Sequence, residues 1–178
     1  MEILMNAQSK SPTKKAGRTA RLNTDNWKVN NLSYQEDYPV RGFLQMCADR
    51  RFHNLMQKQF KKDAKLTSRQ DYWIHADAGG TPKMADRIVA PNYCYGKMKV
   101  RLMGWSAHGD NCGGFGDGVK DDEIMLALCK TMQRKVKEYP EAKHFIYFVT
   151  VLKKGRRKQT VIYRLIAEPG SEIVCTTG

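Results

Sequence analysis

The sequence contains no apolar run approaching the roughly 20 residues that cross a bilayer, so no membrane span is expected. No export signal is expected either. The opening Met-Glu-Ile-Leu-Met is too short for a signal-peptide core, and Glu2 spoils the positively charged start. Cysteine is scarce and odd in number, at positions 47, 94, 112, 129 and 175. Without an export signal, an odd count argues against a disulfide framework and leaves free thiols, or thiolates on a metal, as the expectation. Histidine occurs only at 53, 75, 108 and 144, so metal-binding combinations can be weighed one by one. Acidic residues are absent from Gln8 to Thr24, where Lys10, Lys14, Lys15, Arg18 and Arg21 stand unopposed. No internal repeat is found. The glycines at 113, 114, 116 and 118 are not followed by Lys-Ser/Thr in Walker spacing, which leaves little support for a phosphate loop.

What is present suits a single globular domain: 178 residues, 41% hydrophobic and 28% charged. A cytoplasmic protein is expected, with a basic flexible arm over residues 1–24 and one domain over 25–178. The net charge is +13, concentrated in the arm and in Lys153-Lys154-Gly155-Arg156-Arg157-Lys158. These clusters read first as a flexible tail and a solvated turn. Nucleic-acid contact is the secondary reading, and an organelle transit peptide is an alternative for the arm. The segment from about 25 to 40, with Trp27, Val29, Leu32, Tyr34 and Tyr38, is expected to pack as a short helix or an extended arm, against the body or a partner subunit.

The apolar run Gly42–Cys47 reads as a buried strand. Helical spacing from Phe52 to Ala64 puts Phe52, Leu55, Met56 and Phe60 on one face. A second strand is expected at 71–75, then a helix or loop from Met84 to Val89 closed by Pro91, and a third strand at 97–104, where polar and apolar residues alternate. The glycine-dense segment from Trp105 to Gly116 reads as a loop. Asp121 and Asp122 precede Ile124, Met125, Leu128, Met132 and Val136, a capped amphipathic helix with acids at its start and bases toward its end. Strands at 144–152 and 159–166, joined by the Lys/Gly/Arg turn, suggest a hairpin. This order predicts an α/β fold: a central, largely parallel sheet flanked by helices, with a C-terminal antiparallel extension. Functional groups in such sheets gather at the carboxyl ends of strands, where Cys47, His75 and His108 fall.

Two words carry chemistry: Cys47-Ala-Asp49-Arg-Arg51 and His108-Gly-Asp-Asn-Cys112. Two thiolates and an imidazole can bind Zn²⁺ tetrahedrally and leave the fourth position for water, the arrangement of a catalytic rather than a structural site. Asp49 and Arg51 follow Cys47 at two-residue steps, so an extended turn would point all three the same way. An arginine so placed keeps a carboxylate ionised and oriented. Taken alone, each cysteine would read as core, and Cys94, Cys129 and Cys175 do so. His75 reads as a structural histidine before a fourth ligand or proton relay, His53 as turned outward on its helix, and His144 as a strand-edge residue. Asp110 and Asn111 read as loop formers.

The pair of motifs resembles the β-class carbonic anhydrases. Cys47, Asp49 and Arg51 match that family's first motif in full. Ala78-Gly79-Gly80 resembles its Asn-Ala-Gly loop, with Asp77 where Asn is usual, and Cys112-Gly113-Gly114 resembles its Cys-Gly-Gly. The closing hairpin around Gly155 is similar as well, and the likeness covers roughly residues 40 to 166. The departure is the second motif, with three residues between His108 and Cys112 where two are usual. The extra residue could bulge without moving either ligand, weaken metal binding, or let Asp110 approach the metal.

The resemblance implies zinc on Cys47, His108 and Cys112, and reversible hydration of carbon dioxide to bicarbonate and a proton with zinc-bound hydroxide as nucleophile. It implies that Asp49 orients the hydroxide, that Arg51 fixes Asp49, and that Ala78, Gly79, Gly80 and Gly113 line the pocket or its loops. It also implies a homodimer or higher homo-oligomer. Carbonyl sulfide or carbon disulfide hydrolysis on the same scaffold is one alternative. A catalytically silent zinc domain binding nucleic acid through its basic patches is the other.

Overall fold

The computed structural model describes residues 40–84 and 89–175. The arm expected over 1–24, its boundary with the domain and the segment to residue 39 lie outside the described residues.

Strand β1 (Gly42–Cys47) is buried along its whole length, a mostly apolar run covered on both faces in which even Gln45 is out of solvent. Helix α1 (Arg50–Asp63) follows at once. Its N-terminus is capped by Asp49, whose side chain accepts from Arg51 N, and Phe52, Met56 and Phe60 form its buried face. Strand β2 (Tyr72–Asp77) pairs parallel to β1, from Gly42 opposite Tyr72 to Cys47 opposite Asp77. Two short helices come next, α2 (Gly80–Lys83) and α3 (Val89–Asn92), the second running on into a wider helical turn at Tyr93–Lys97. Strand β3 (Leu102–His108) pairs parallel to the other side of β1. Helix α4 (Asp121–Glu138) begins with Asp121, Asp122 and Glu123 and ends with Lys135 and Lys137, both favourable to the helix dipole. Strands β4 (Lys143–Lys154) and β5 (Arg157–Ala167) close the sheet as an antiparallel hairpin.

The strand order is β2-β1-β3-β4-β5. The chain leaves β1 toward one edge and β3 toward the other, so the crevice at their carboxyl ends is the topological switch point where open α/β sheets bind ligands. Cys47 ends β1 and His108 ends β3. One core lies on the α1 face, among Leu44, Met46, Phe52, Met56, Phe60 and Tyr147. The other lies on the α4 face, among Phe43, Trp105, Ile124, Leu128, Met132 and Phe148. Among the described residues no helix is long and apolar enough to cross a membrane.

Four expectations change. The third strand starts at Leu102, not Lys97, and runs through Trp105 to His108. The alternation at 97–100 instead serves a helical turn closed by Met98 N to Tyr93 O at 3.1 Å and Val100 N to Cys94 O at 2.9 Å. The true strand shows no alternation because both its faces are covered. Pro91 lies inside α3 rather than ending it, where a first-turn proline loses no hydrogen bond. His144 is not at an edge: it pairs with Met103 in the sheet and is 1% exposed. Trp105 Nε1 donates to its Nδ1 at 3.0 Å, and its Nε2 donates to the Tyr139 carbonyl at 3.1 Å. Finally, Cys129 and Cys175 form a disulfide. It ties the segment after β5 onto α4, where Ile173 is buried and its carbonyl accepts from Gln133 Nε2 at 3.1 Å. Counting cysteines could not show this, because an odd total still permits one pair.

Candidate metal centre

Cys47 and His108 arrive on neighbouring strand ends, and Cys112 returns on the loop that follows His108. Their ligand atoms all lie within 4.8 Å of one another, and all three residues are buried. The two sulfurs are 3.9 Å apart. Two sulfurs on a tetrahedral zinc with bonds of about 2.3 Å stand about 3.8 Å apart, so the donor pair fits that ion.

His108 gives the sharper indication. Its Nδ1 donates to the Gly109 carbonyl at 2.7 Å, which fixes the tautomer and leaves the Nε2 lone pair free. That Nε2 is buried and finds no hydrogen-bond partner of good geometry among the described residues. An unsatisfied polar atom in an interior costs about 1–3 kcal/mol, and a metal ion is the partner that would relieve it. Phe52 packs on the imidazole with ring centroids 4.8 Å apart.

The thiols are primed for the same role. A hydrogen bond with Cys112 holds the Cys47 thiol well below its ordinary pKa against the opposing effect of burial, with His108 helping. Cys112 is pushed up in return, by that bond and by burial. Burial works against a charge on His108, and the Cys47 sulfur and the Gly109 carbonyl outweigh it and raise its pKa. Metal ligands must be deprotonated, and at least one sulfur is already disposed to be.

Asp49 stands beside this group, Oδ2 lying 3.7 Å from His108 Nε2. Arg51 grips both of its oxygens: Nε is shared between Oδ1 at 3.1 Å and Oδ2 at 3.0 Å, and Nη2 donates to Oδ2 at 2.7 Å. Those bonds hold the Asp49 carboxyl below the usual carboxylate range, against partial burial. The expected extended turn is not how the pair forms. Arg51 belongs to the first turn of α1 and folds back on the cap residue.

The loop expected at Ala78, Gly79 and Gly80 packs beside the ligands. A Cβ on Gly80, which has φ +63°, would lie 2.5 Å from the Ser106 carbonyl and 3.3 Å from Cys47 N. Gly113 faces open space, whereas its neighbour Gly114 makes the close approach: a Cβ there would lie 2.1 Å from Gly79 N. His75 stays outside the ligand group, with Nδ1 3.3 Å from Gln45 Nε2. His53 is not turned outward. Its Nε2 lies 2.9 Å from the Cys47 carbonyl, steadying the strand end that carries the ligand. Its spacing of four from Asp49 put it on the same helix face, a signal the sequence offered. Asp110 does not approach the ligand group but pairs with Arg51 at 2.9 Å.

The structural neighbours are β-carbonic anhydrases. One is from the filamentous ascomycete Sordaria macrospora, from a study of two tetrameric enzymes: 13% identity, 63% of this chain and 76% of that chain covered, TM-score 0.42. Another is isoform I from the protozoan Trichomonas vaginalis: 18% identity, 74% and 87% covered, TM-score 0.39. Overlap of this extent carries no functional inference. No family model matches the chain, and no curated protein does.

Proposed function

We propose that this chain is a zinc-dependent hydratase that converts carbon dioxide and water to bicarbonate and a proton. The observation that carries the reading is the buried Nε2 of His108, unpartnered among the described residues, converging with two cysteine sulfurs beside an arginine-held carboxylate. Zinc in such a site supplies a water acidic enough to become a nucleophile near neutral pH.

The chain's own side chains provide the rest. Asp49, kept ionised by Arg51, accepts a hydrogen bond from the attacking water and aims its lone pair. Met46, Phe52, Met56, Ala107 and Val149 line a cavity of about 10 Å³ next to Asp49 and His108, room for about one water and an apolar backing behind the site. The bond from His108 Nδ1 to Gly109 holds the ring in place. A C–O bond forms at the carbon, one C=O pair moves onto oxygen, and the proton leaves to solvent past the partly exposed Asp49. Exposed Tyr163, Leu165 and Ile166 on the edge strand β5 support a homo-oligomer, which sedimentation would test. The deciding experiment for the activity is stopped-flow CO₂ hydration with metal analysis on the same sample. A zinc-loaded protein that does not accelerate hydration sinks the reading, and parallel assays with carbonyl sulfide and carbon disulfide decide the substrate.

One feature favours a second reading, a zinc domain that binds nucleic acid. Exposed Lys153, Arg156, Arg157 and Lys158 crowd the β4–β5 turn, with Lys153 directly opposite Lys158. Like charges so placed repel, and a polyanion would relieve them. Salt-dependent binding of single-stranded RNA by fluorescence polarisation tests it.

A further inference from the structure

The geometry points to Asp110 as a positioning residue of the metal centre, one that acts through Arg51 to lock the longer His-x₃-Cys loop against Asp49. This rests on the proposal that Cys47, His108 and Cys112 hold zinc, and it deepens it.

Reaching Cys112 from His108 over one extra residue requires a tight reversal. Asp110 and Asn111 make it in succession with φ of 50° and 67°. Asp and Asn tolerate this left-handed region better than other side-chain-bearing residues, yet it persists only where the surroundings over-determine it. Here they do so from both sides. On the sheet side, Gly109 N donates to the Val149 carbonyl at 2.8 Å and Asp110 N to Asp121 Oδ1 at 3.0 Å. Asp121 is itself held by Thr150 Oγ1. On the helix side, Arg51 Nη1 donates to Asp110 Oδ2 at 2.9 Å and Nη2 to the Asp110 carbonyl at 3.0 Å.

The same guanidinium clasps Asp49, so one side chain joins the capped start of α1 to the loop between two ligands. Arg51 is 50% exposed. A long, half-solvated arginine pairing with a single surface carboxylate is weakly fixed. A second carboxylate on its far edge turns the pair into a network with a planar, two-sided geometry. Asp110 thereby sets both where Asp49 points and where Cys112 sits.

The test uses full-length zinc-loaded protein with Asp110→Ala and Asp110→Asn, alone and with Arg51→Ala. Zinc release to a chelator and the kcat and KM for CO₂ are the readouts. Asp110→Ala should speed zinc release by about 10–100-fold, the range for supporting residues of metal sites, and lower kcat with KM unchanged. Asp110→Asn, whose amide oxygen still accepts from Nη1, should recover part of both. In the Arg51→Ala background, Asp110→Asn, which suits the left-handed turn as aspartate does, should add little. Zinc release at the wild-type rate from Asp110→Ala, or effects of Asp110→Asn and Arg51→Ala that simply add, would overturn the assignment. If Asp110→Ala does not fold, Asp110→Asn alone decides: wild-type release and kcat that are the same with Arg51 present or absent reject the role, and a defect that vanishes without Arg51 supports it. Should wild-type protein bind zinc and fail to hydrate CO₂, the activity falls while the release series still decides the role of Asp110.

Discussion

The sulfurs of Cys47 and Cys112 face each other at 3.9 Å although 65 residues separate them in the chain. That is nearly twice the ~2.05 Å of a disulfide and close to the spacing of two thiolates on one ion. Purified protein is therefore expected to contain about one zinc per chain, measurable by atomic spectrometry. Cys112→Ser should weaken zinc by more than about 100-fold, the upper end of what supporting residues alone contribute. A well-folded wild-type protein free of metal after growth in zinc would defeat this expectation.

Asp49 has two jobs, and two substitutions separate them. As the N-cap of α1 it accepts from Arg51 N at 3.0 Å, and as a carboxylate it stands 3.7 Å from His108 Nε2. Asparagine caps helices about as well as aspartate. Asp49→Asn should thus keep zinc and melting temperature while hydration falls by about 10²–10⁴-fold, the usual contribution of a positioned acid–base group. Asp49→Ala should lose the same activity and about 1 kcal/mol of stability as well. Full turnover in the asparagine variant would remove the carboxylate from the chemistry.

Which residues converge here was legible from residue type and position: Cys47 closes a mostly apolar run, and His108 and Cys112 stand in a glycine-dense stretch. The sheet followed from the order of apolar segments. What escaped depends on partners far along the chain. His144 looks like any strand residue until Trp105, 39 positions away, donates to it. Strand β3 hid its last four residues because burial on both faces erases the period-two pattern. The Asp110-Asn111 pair was the readable part of the odd spacing, since these types suit left-handed turns. That Arg51 would hold the turn depended on the fold.

The Cys129–Cys175 disulfide closes a 46-residue separation. Loop-closure entropy for that length is worth about 4 kcal/mol at most, and engineered or native bridges commonly give 2–4 kcal/mol. Cys175→Ser should lower unfolding stability by about that range in chemical denaturation. Neither cysteine belongs to the Cys47, His108 and Cys112 group, so zinc content should not change. The serine variant is the right probe because a thiol reductant would also compete for the metal. Unaltered stability in Cys175→Ser would mean that the segment carrying Ile173 stays docked without its bond.

His144 predicts a separate acid sensitivity. Burial holds its pKa below the ordinary histidine value, although its bond to the Tyr139 carbonyl works the other way. Above about pH 6.5 the ring is neutral whether the chain is folded or not, and it contributes no pH dependence. As the pH falls through that value, the unfolded chain takes up a proton that the folded one refuses. Stability therefore declines from about pH 6.5 down to the lowered native pKa, with a slope of at most about 1.4 kcal/mol per pH unit. His144→Gln removes this titration, and its side chain can still accept from Trp105 Nε1. Protonation of the zinc ligands acts on both proteins, so the difference between their melting curves isolates the one ring. Wild-type protein should lose stability more steeply than His144→Gln between about pH 6.5 and 5, and parallel curves would show that His144 takes up its proton in the folded state as readily as in the unfolded one.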